Sequence, residues 1–157
     1  MHLNVIDVFR TSLFWAPFSA WLIAQTTKML CGFTRTRRLD FRYLVSTGGM
    51  PSAHSAMASA LATVMGLSEG FRSAPFIMAL AFAIVVMFDA ATVRRAAGQQ
   101  SRLLNEMLDE LFKTHRFSEQ KLVELLGHTR LEVFLGLVMG VLTAIAVFAL
   151  DYIGFWR

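Results

Sequence analysis

The sequence predicts an all-α integral membrane bundle of about four transmembrane helices with an amphipathic helical segment at the membrane surface. Three observations carry that expectation. Hydrophobic residues make up 55% of the 157, and the mean hydropathy is +0.52, too apolar for an ordinary water-soluble domain. The chain holds four long uncharged runs, and its basic residues crowd onto one side of them.

The runs set the helices in order. Seventeen uncharged residues separate Arg10 from Lys28, 26 run from Tyr43 to Ser68, 16 from Ser73 to Phe88 and 18 from Val133 to Leu150. A bilayer core takes roughly 17 to 25 residues of helix. The expected spans are about 12–31, 51–68, 73–92 and 131–150, in a single membrane domain covering residues 1–157. The gap Glu69-Gly70-Phe71-Arg72 makes the second and third spans a tight hairpin. No cleavable signal peptide is expected, since the first residues carry Asp7 and no small-residue cleavage site follows a short apolar core.

Between the third and fourth spans the pattern changes. Leu103, Leu104, Met107, Leu108, Leu111 and Phe112 recur at helical spacing opposite Glu106, Asp109 and Glu110, the pattern of a helix lying along the surface. A second short helix is expected from Ser118, which would cap it, to a break near Gly127, so the surface segment covers about 102–126.

Charge gives the orientation. Lys28, Arg35, Arg37, Arg38, Arg42, Arg94, Arg95, Arg102, Lys113, Arg116, Lys121 and Arg130 fall on one side of the expected spans, against Arg10, Arg72 and Arg157 on the other. The positive-inside tendency places the crowded side in the cytoplasm and both termini outside, in a bacterial-type inner membrane. Basic residues beside apolar spans point to anionic lipid headgroups as partners rather than nucleic acid. The single cysteine, Cys31, excludes an intrachain disulfide, and nothing near it in sequence completes a zinc site.

The chemistry concentrates at two places. Gly48-Gly49-Met50-Pro51-Ser52-Ala53-His54 sits at the mouth of the second span. Pro51 is expected at the first helical position, leaving the N–H groups of Ser52, Ala53 and His54 in the first turn, where the helix dipole and unpaired donors favour a phosphate. His128 and Glu132, four apart at the entrance of the fourth span, would share a helical face, so that the carboxylate orients the imidazole as a nucleophile or base. Two histidines on one side of the membrane could divide phosphoryl transfer, one attacking phosphorus and one protonating the leaving oxygen. The small residues Gly136-x3-Gly140 and Ala56, Ser59, Ala60 and Thr63 fit close helix packing, within or between chains, so self-association stays open.

Pro51-Ser52-Ala53-His54, the His128-x3-Glu132 pair and Lys28-x6-Arg35 resemble the three motifs of the type 2 phosphatidic acid phosphatase superfamily, relatives of vanadium haloperoxidases. The closer likeness is to its divergent branch of small bacterial and plant membrane proteins, over roughly residues 20 to 150. The resemblance implies a membrane phosphatase acting on a lipid phosphate or pyrophosphate without a metal or other cofactor. His128 would form a phosphohistidine, Glu132 would orient it and His54 would be the general acid. Lys28, Arg35, Ser52 and the Ala53 N–H would bind the phosphate. The chain has Ala53 where the family usually has Gly, Glu132 where it has Asp, and Leu122 where it has Arg, a charge that Arg94 or Arg95 could replace. Two other functions remain open from the residues. One is lipid-phosphate binding, transport or flipping without turnover; the other is a structural role with a basic lipid-facing surface.

Overall fold

The computed structural model describes residues 5–36, 49–111 and 128–154. A short 3-10 turn, Val5–Arg10, leads into helices α1 (Ser12–Thr36), α2 (Ala53–Glu69), α3 (Ala74–Ala91), α4 (Val93–Leu111) and α5 (Arg130–Tyr152). The fold is all-α, and each expected span has its helix.

Small side chains put α2 at the centre. Its buried positions are almost all Ala, Ser and Gly, and it packs against α1, α3 and α5. From α1, Ala16, Ala20 and Ala24 lie four residues apart on one face and are fully buried, meeting Ala53, Ala56, Ala60 and Val64 of α2 and Ala144 and Val147 of α5. With so little side chain between them, the backbones approach closely, which is how helices gain dispersion contact inside a membrane, where lipid is as apolar as leucine.

The glycines of α5 show how close. A Cβ on Gly136 would collide with the Ser52 carbonyl oxygen, and one on Gly140 with Ser59 Oγ and the Ala56 carbonyl oxygen. Ser59 Oγ also lies 3.2 Å from the Leu137 carbonyl oxygen, to which it donates across the same seam. The Gly136-x3-Gly140 pair therefore serves a contact within the chain.

On the other side of α2, Ala58 and Ala62 meet Ala79 and Ala83 of α3. The two helices are joined by the expected hairpin. Gly70 has a positive φ of 88°, a conformation that side chains rarely adopt. Ser73 caps α3, its oxygen accepting from the Phe76 N–H at 3.3 Å. The outer face of α3 is a continuous apolar surface, with Ile77, Met78, Phe82, Ile84, Val85 and Phe88 more than half exposed. In a water-soluble domain such a patch would be an aggregation site; in a membrane protein it is a surface suited to lipid.

The start of the surface segment differs from the sequence expectation. The surface helix begins at Val93, not near residue 102. Its first turns, Val93-Arg94-Arg95-Ala96-Ala97-Gly98-Gln99-Gln100, show no apolar period, yet alanine, glutamine and arginine are good helix formers. The join to α3 is a slight break at Thr92, whose N–H and hydroxyl both donate back to the Phe88 carbonyl. Ala74–Leu108 is thus nearly one 35-residue stretch, and it and Arg130–Tyr152 are long and apolar enough to cross a membrane. At 17 residues α2 reaches only the lower limit for a span. Among the described residues α4 packs against α3 alone. The short helix expected from Ser118, and Arg37, Arg38, Gly48 and Leu122, lie outside the described residues.

Candidate functional site

The site is built where the start of α5 meets the start of α2. Thr129 is the N-cap of α5: its hydroxyl oxygen accepts from the Glu132 N–H at 3.3 Å, and Glu132 Oε2 accepts from the Thr129 N–H at 3.0 Å. This reciprocal pair satisfies two helix-end donors and turns the carboxylate back over the first turn. The same Oε2 lies 3.0 Å from His128 Nδ1.

The contact forms for a reason other than the one expected. His128 precedes the cap and stands outside the helix, so the pair does not share a helical face; the capping geometry brings the carboxylate to the imidazole. His128 is 2% exposed, whereas Glu132 keeps 21% of its side chain accessible. A carboxylate holding Nδ1 fixes the ring and selects the tautomer with the proton on Nδ1, leaving the lone pair on Nε2.

The α2 end is tied to this pair through the backbone. The Ser52 N–H donates to the Glu132 carbonyl oxygen at 3.0 Å. That bond corrects the assignment of the helix start. Pro51 lies outside α2, Ser52 is the N-cap and Ala53 the first helical residue, so the Ser52 N–H is used across the helix junction and is not a first-turn donor. The Ser52 oxygen, fully buried, accepts from the Ser55 hydroxyl at 3.0 Å and from the Ser55 N–H at 3.4 Å.

A cation completes the cluster. Lys28 of α1 is only 4% exposed, yet it lines a cleft of about 500 Å³ with Glu132, Cys31, Gly32, Thr34, Gly49 and Met50. Burying a lysine costs several kcal/mol or so unless it is paired, and here the Glu132 carboxylate shares its cleft. Gly49, which also lines the cleft, has a positive φ of 92°.

The structure thus brings Lys28, Ser52, Ala53, His128 and Glu132 to one junction. The His54 side chain is exposed, and neither it nor His128 is among the residues lining the cleft. Arg35 is in the last turn of α1. Arg95 is exposed on α4, which among the described residues packs against α3 alone, and Arg94 precedes it in the same helix. Two contributors were not singled out from sequence. Thr129-x2-Glu132 carries the capping-box spacing and was legible; Gly136, needed so that α5 can pass beneath the Ser52 carbonyl, was read only as a packing glycine. Among the described residues no three His, Cys, Asp or Glu gather as a metal ion would need.

A family model described as the divergent PAP2 family matches residues 9–143. The chain belongs to the divergent PAP2 family. It is also similar to the uncharacterized membrane protein YuiD of Bacillus subtilis (strain 168), 36% identical over 143 residues, which cover 84% of this chain and 90% of that protein. No solved structure matches. The divergent PAP2 match takes in every residue of the junction and stops within α5, so the family pattern covers the helix pair that builds the site as well as the membrane helices around it.

Proposed function

We propose that this divergent PAP2 protein hydrolyses a lipid phosphate or pyrophosphate at the membrane surface, through a phosphohistidine on His128. The observation that carries the reading is the 3.0 Å contact of His128 Nδ1 with a carboxylate that is itself locked by a helix cap, beside the buried Lys28. In the first step the Nε2 lone pair would form the N–P bond while the P–O bond to the lipid breaks. The leaving oxygen would take its proton from an acid, the role the family resemblance gives to His54. Water would then cleave the N–P bond and release phosphate. Glu132 would balance the imidazolium charge and Lys28 the phosphoryl charge.

Arg35, Arg94 and Arg95 would serve as further phosphate ligands once the substrate draws them in, and membrane lipids would be the partners. The protein would sit in a bacterial-type inner membrane as a multi-pass bundle with the site facing the cytoplasm. Without Lys28, Arg35, Arg94 and Arg95, eight basic residues remain on that side against three opposite.

One observation favours a second reading, lipid-phosphate binding or transport without turnover. The Ser52 oxygen accepts the capping bond, and neither His54 nor Arg95 lines the cleft, so among the described side chains Lys28 is the proposed phosphate ligand that does. Phosphate release from a panel of lipid phosphates by the purified protein, with His128→Ala as comparison, separates the two. Turnover lost in the variant supports the enzyme; binding without turnover in the wild type supports the carrier.

A further inference from the structure

The polar cleft does not end at its own walls. Cys31 and Met50 also line a second cavity, of about 400 Å³, running between α1 and α5 away from the charged groups. Thr27 of α1, Pro51, and Leu135, Val138 and Leu142 of α5 form much of it. Its hydroxyls are turned out of play: Thr27 Oγ1 donates to the Ile23 carbonyl at 2.7 Å and Thr143 Oγ1 to the Met139 carbonyl at 2.8 Å. The walls are therefore apolar, one step from Lys28 and Glu132.

Its shape and its neighbour select an occupant. Along α5 the lining runs from Leu135 to Thr143, eight residues, about 12 Å of helix at ~1.5 Å per residue. An apolar groove of that length opens on a polar cleft through the shared Cys31 and Met50, an arrangement that suits a ligand with a charged head and a hydrocarbon tail. The apolar groove among α2, α3 and α5, of similar volume, shares no lining residue with the polar cleft.

We infer that the α1–α5 groove binds one hydrocarbon chain of the lipid whose phosphate enters the cleft, with Cys31 and Met50 as the collar at the junction of headgroup and chain. This rests on the phosphate reading for the headgroup alone. A second chain of a two-chain lipid stays in the bilayer. Selection then has two parts: the charge of Lys28 attracts the phosphate head, and the groove aligns the start of the chain.

Photo-crosslinking tests it without requiring turnover. The full-length protein in phosphatidylcholine nanodiscs is irradiated with a trace of phosphatidic acid carrying a diazirine at mid-chain, or with phosphatidylcholine carrying the same diazirine, and adducts are mapped by mass spectrometry. The expected result is adducts on Thr27, Leu135, Val138 and Leu142, severalfold more from the phosphatidic acid probe. Val138→Trp and, separately, Leu142→Trp should lower them severalfold, while Phe134→Trp, on a part of α5 that lines neither apolar cavity, should not. Equal groove adducts from both probes, still lost in the tryptophan variants, support the groove and count against the phosphate reading. Adducts from phosphatidic acid spread over the lipid-facing side of α3, or unchanged in both tryptophan variants, overturn the groove; a second copy sealed against this face would give that same result.

Discussion

The α2–α5 seam and the α3–α4 arm are both helical, yet they are built on opposite rules. In the seam the side chains shrink to Ala, Ser and Gly until carbonyl oxygens of one helix lie against glycines of the other, and polar groups are buried but bonded. In the arm the side chains are large and point outward: α3 buries only Ala79, Ala83 and Ala90, and α4 touches nothing but α3 among the described residues. The seam holds fixed positions, so it is the place where an imidazole can be oriented. The outer face of α3 presents a surface, so it can change residue by residue as long as it stays apolar.

That contrast can be broken at graded cost. Gly136→Val should have the largest effect, because the new side chain meets the Ser52 carbonyl and the Ser55 Cβ with no room to yield. A loss of about 3 kcal/mol or more is expected from overpacking at a backbone, read as failure to assemble or a collapse of the thermal transition in detergent. An unchanged transition would mean the helices are not this close.

Glu132→Gln comes next and acts on chemistry. Its amide oxygen can keep both hydrogen bonds now made by Oε2, so the fold should persist, but the charge opposite His128 and Lys28 is gone. Turnover should fall about 10- to 100-fold, the usual scale for a partner that orients a functional group. Glu132→Asp should retain more, because it keeps the charge. Equal kcat for the Gln variant and the wild type would remove Glu132 from the mechanism.

Thr129→Ala removes half of the capping box and should cost about 1 kcal/mol of stability, measured by the shift in thermal unfolding. Val85→Ala, on the lipid-facing side of α3, should change stability by less than about 0.5 kcal/mol despite removing more apolar surface. A larger loss there than at Thr129 would show that the arm is packed against something.

Much of this division could be read in the sequence, and its limits are instructive. The four uncharged runs located α1, α2, α3 and α5 to within a few residues, because charge at the bilayer core is costly whatever the packing. The hairpin was legible from Gly70. The start of α4 was missed because residues 93–101 have helical propensity without an apolar stripe, and the stripe was the signal followed. At the site, spacing identified His128 and Glu132, but it implied a shared helical face, whereas Thr129 as cap places His128 one residue outside. Pro51 suggests a helix start at residue 51, whereas α2 starts at Ala53 with Ser52 as its N-cap, so the Ser52 N–H goes to the junction. The direction of His54 and the reach of Arg94 and Arg95 depend on which face of each helix packs inward, and neighbouring residues in sequence do not fix that.

The central claim is that His128 carries the phosphoryl group. The direct measurement is to mix the purified protein with a lipid phosphate, quench within the first turnovers under alkaline conditions that preserve phosphohistidine, and map phosphoryl groups by mass spectrometry. The account predicts a phosphoryl group on His128, absent from His128→Ala and reduced in Glu132→Gln. Steady turnover with His128 unmodified, or turnover that survives in His128→Ala, would contradict it.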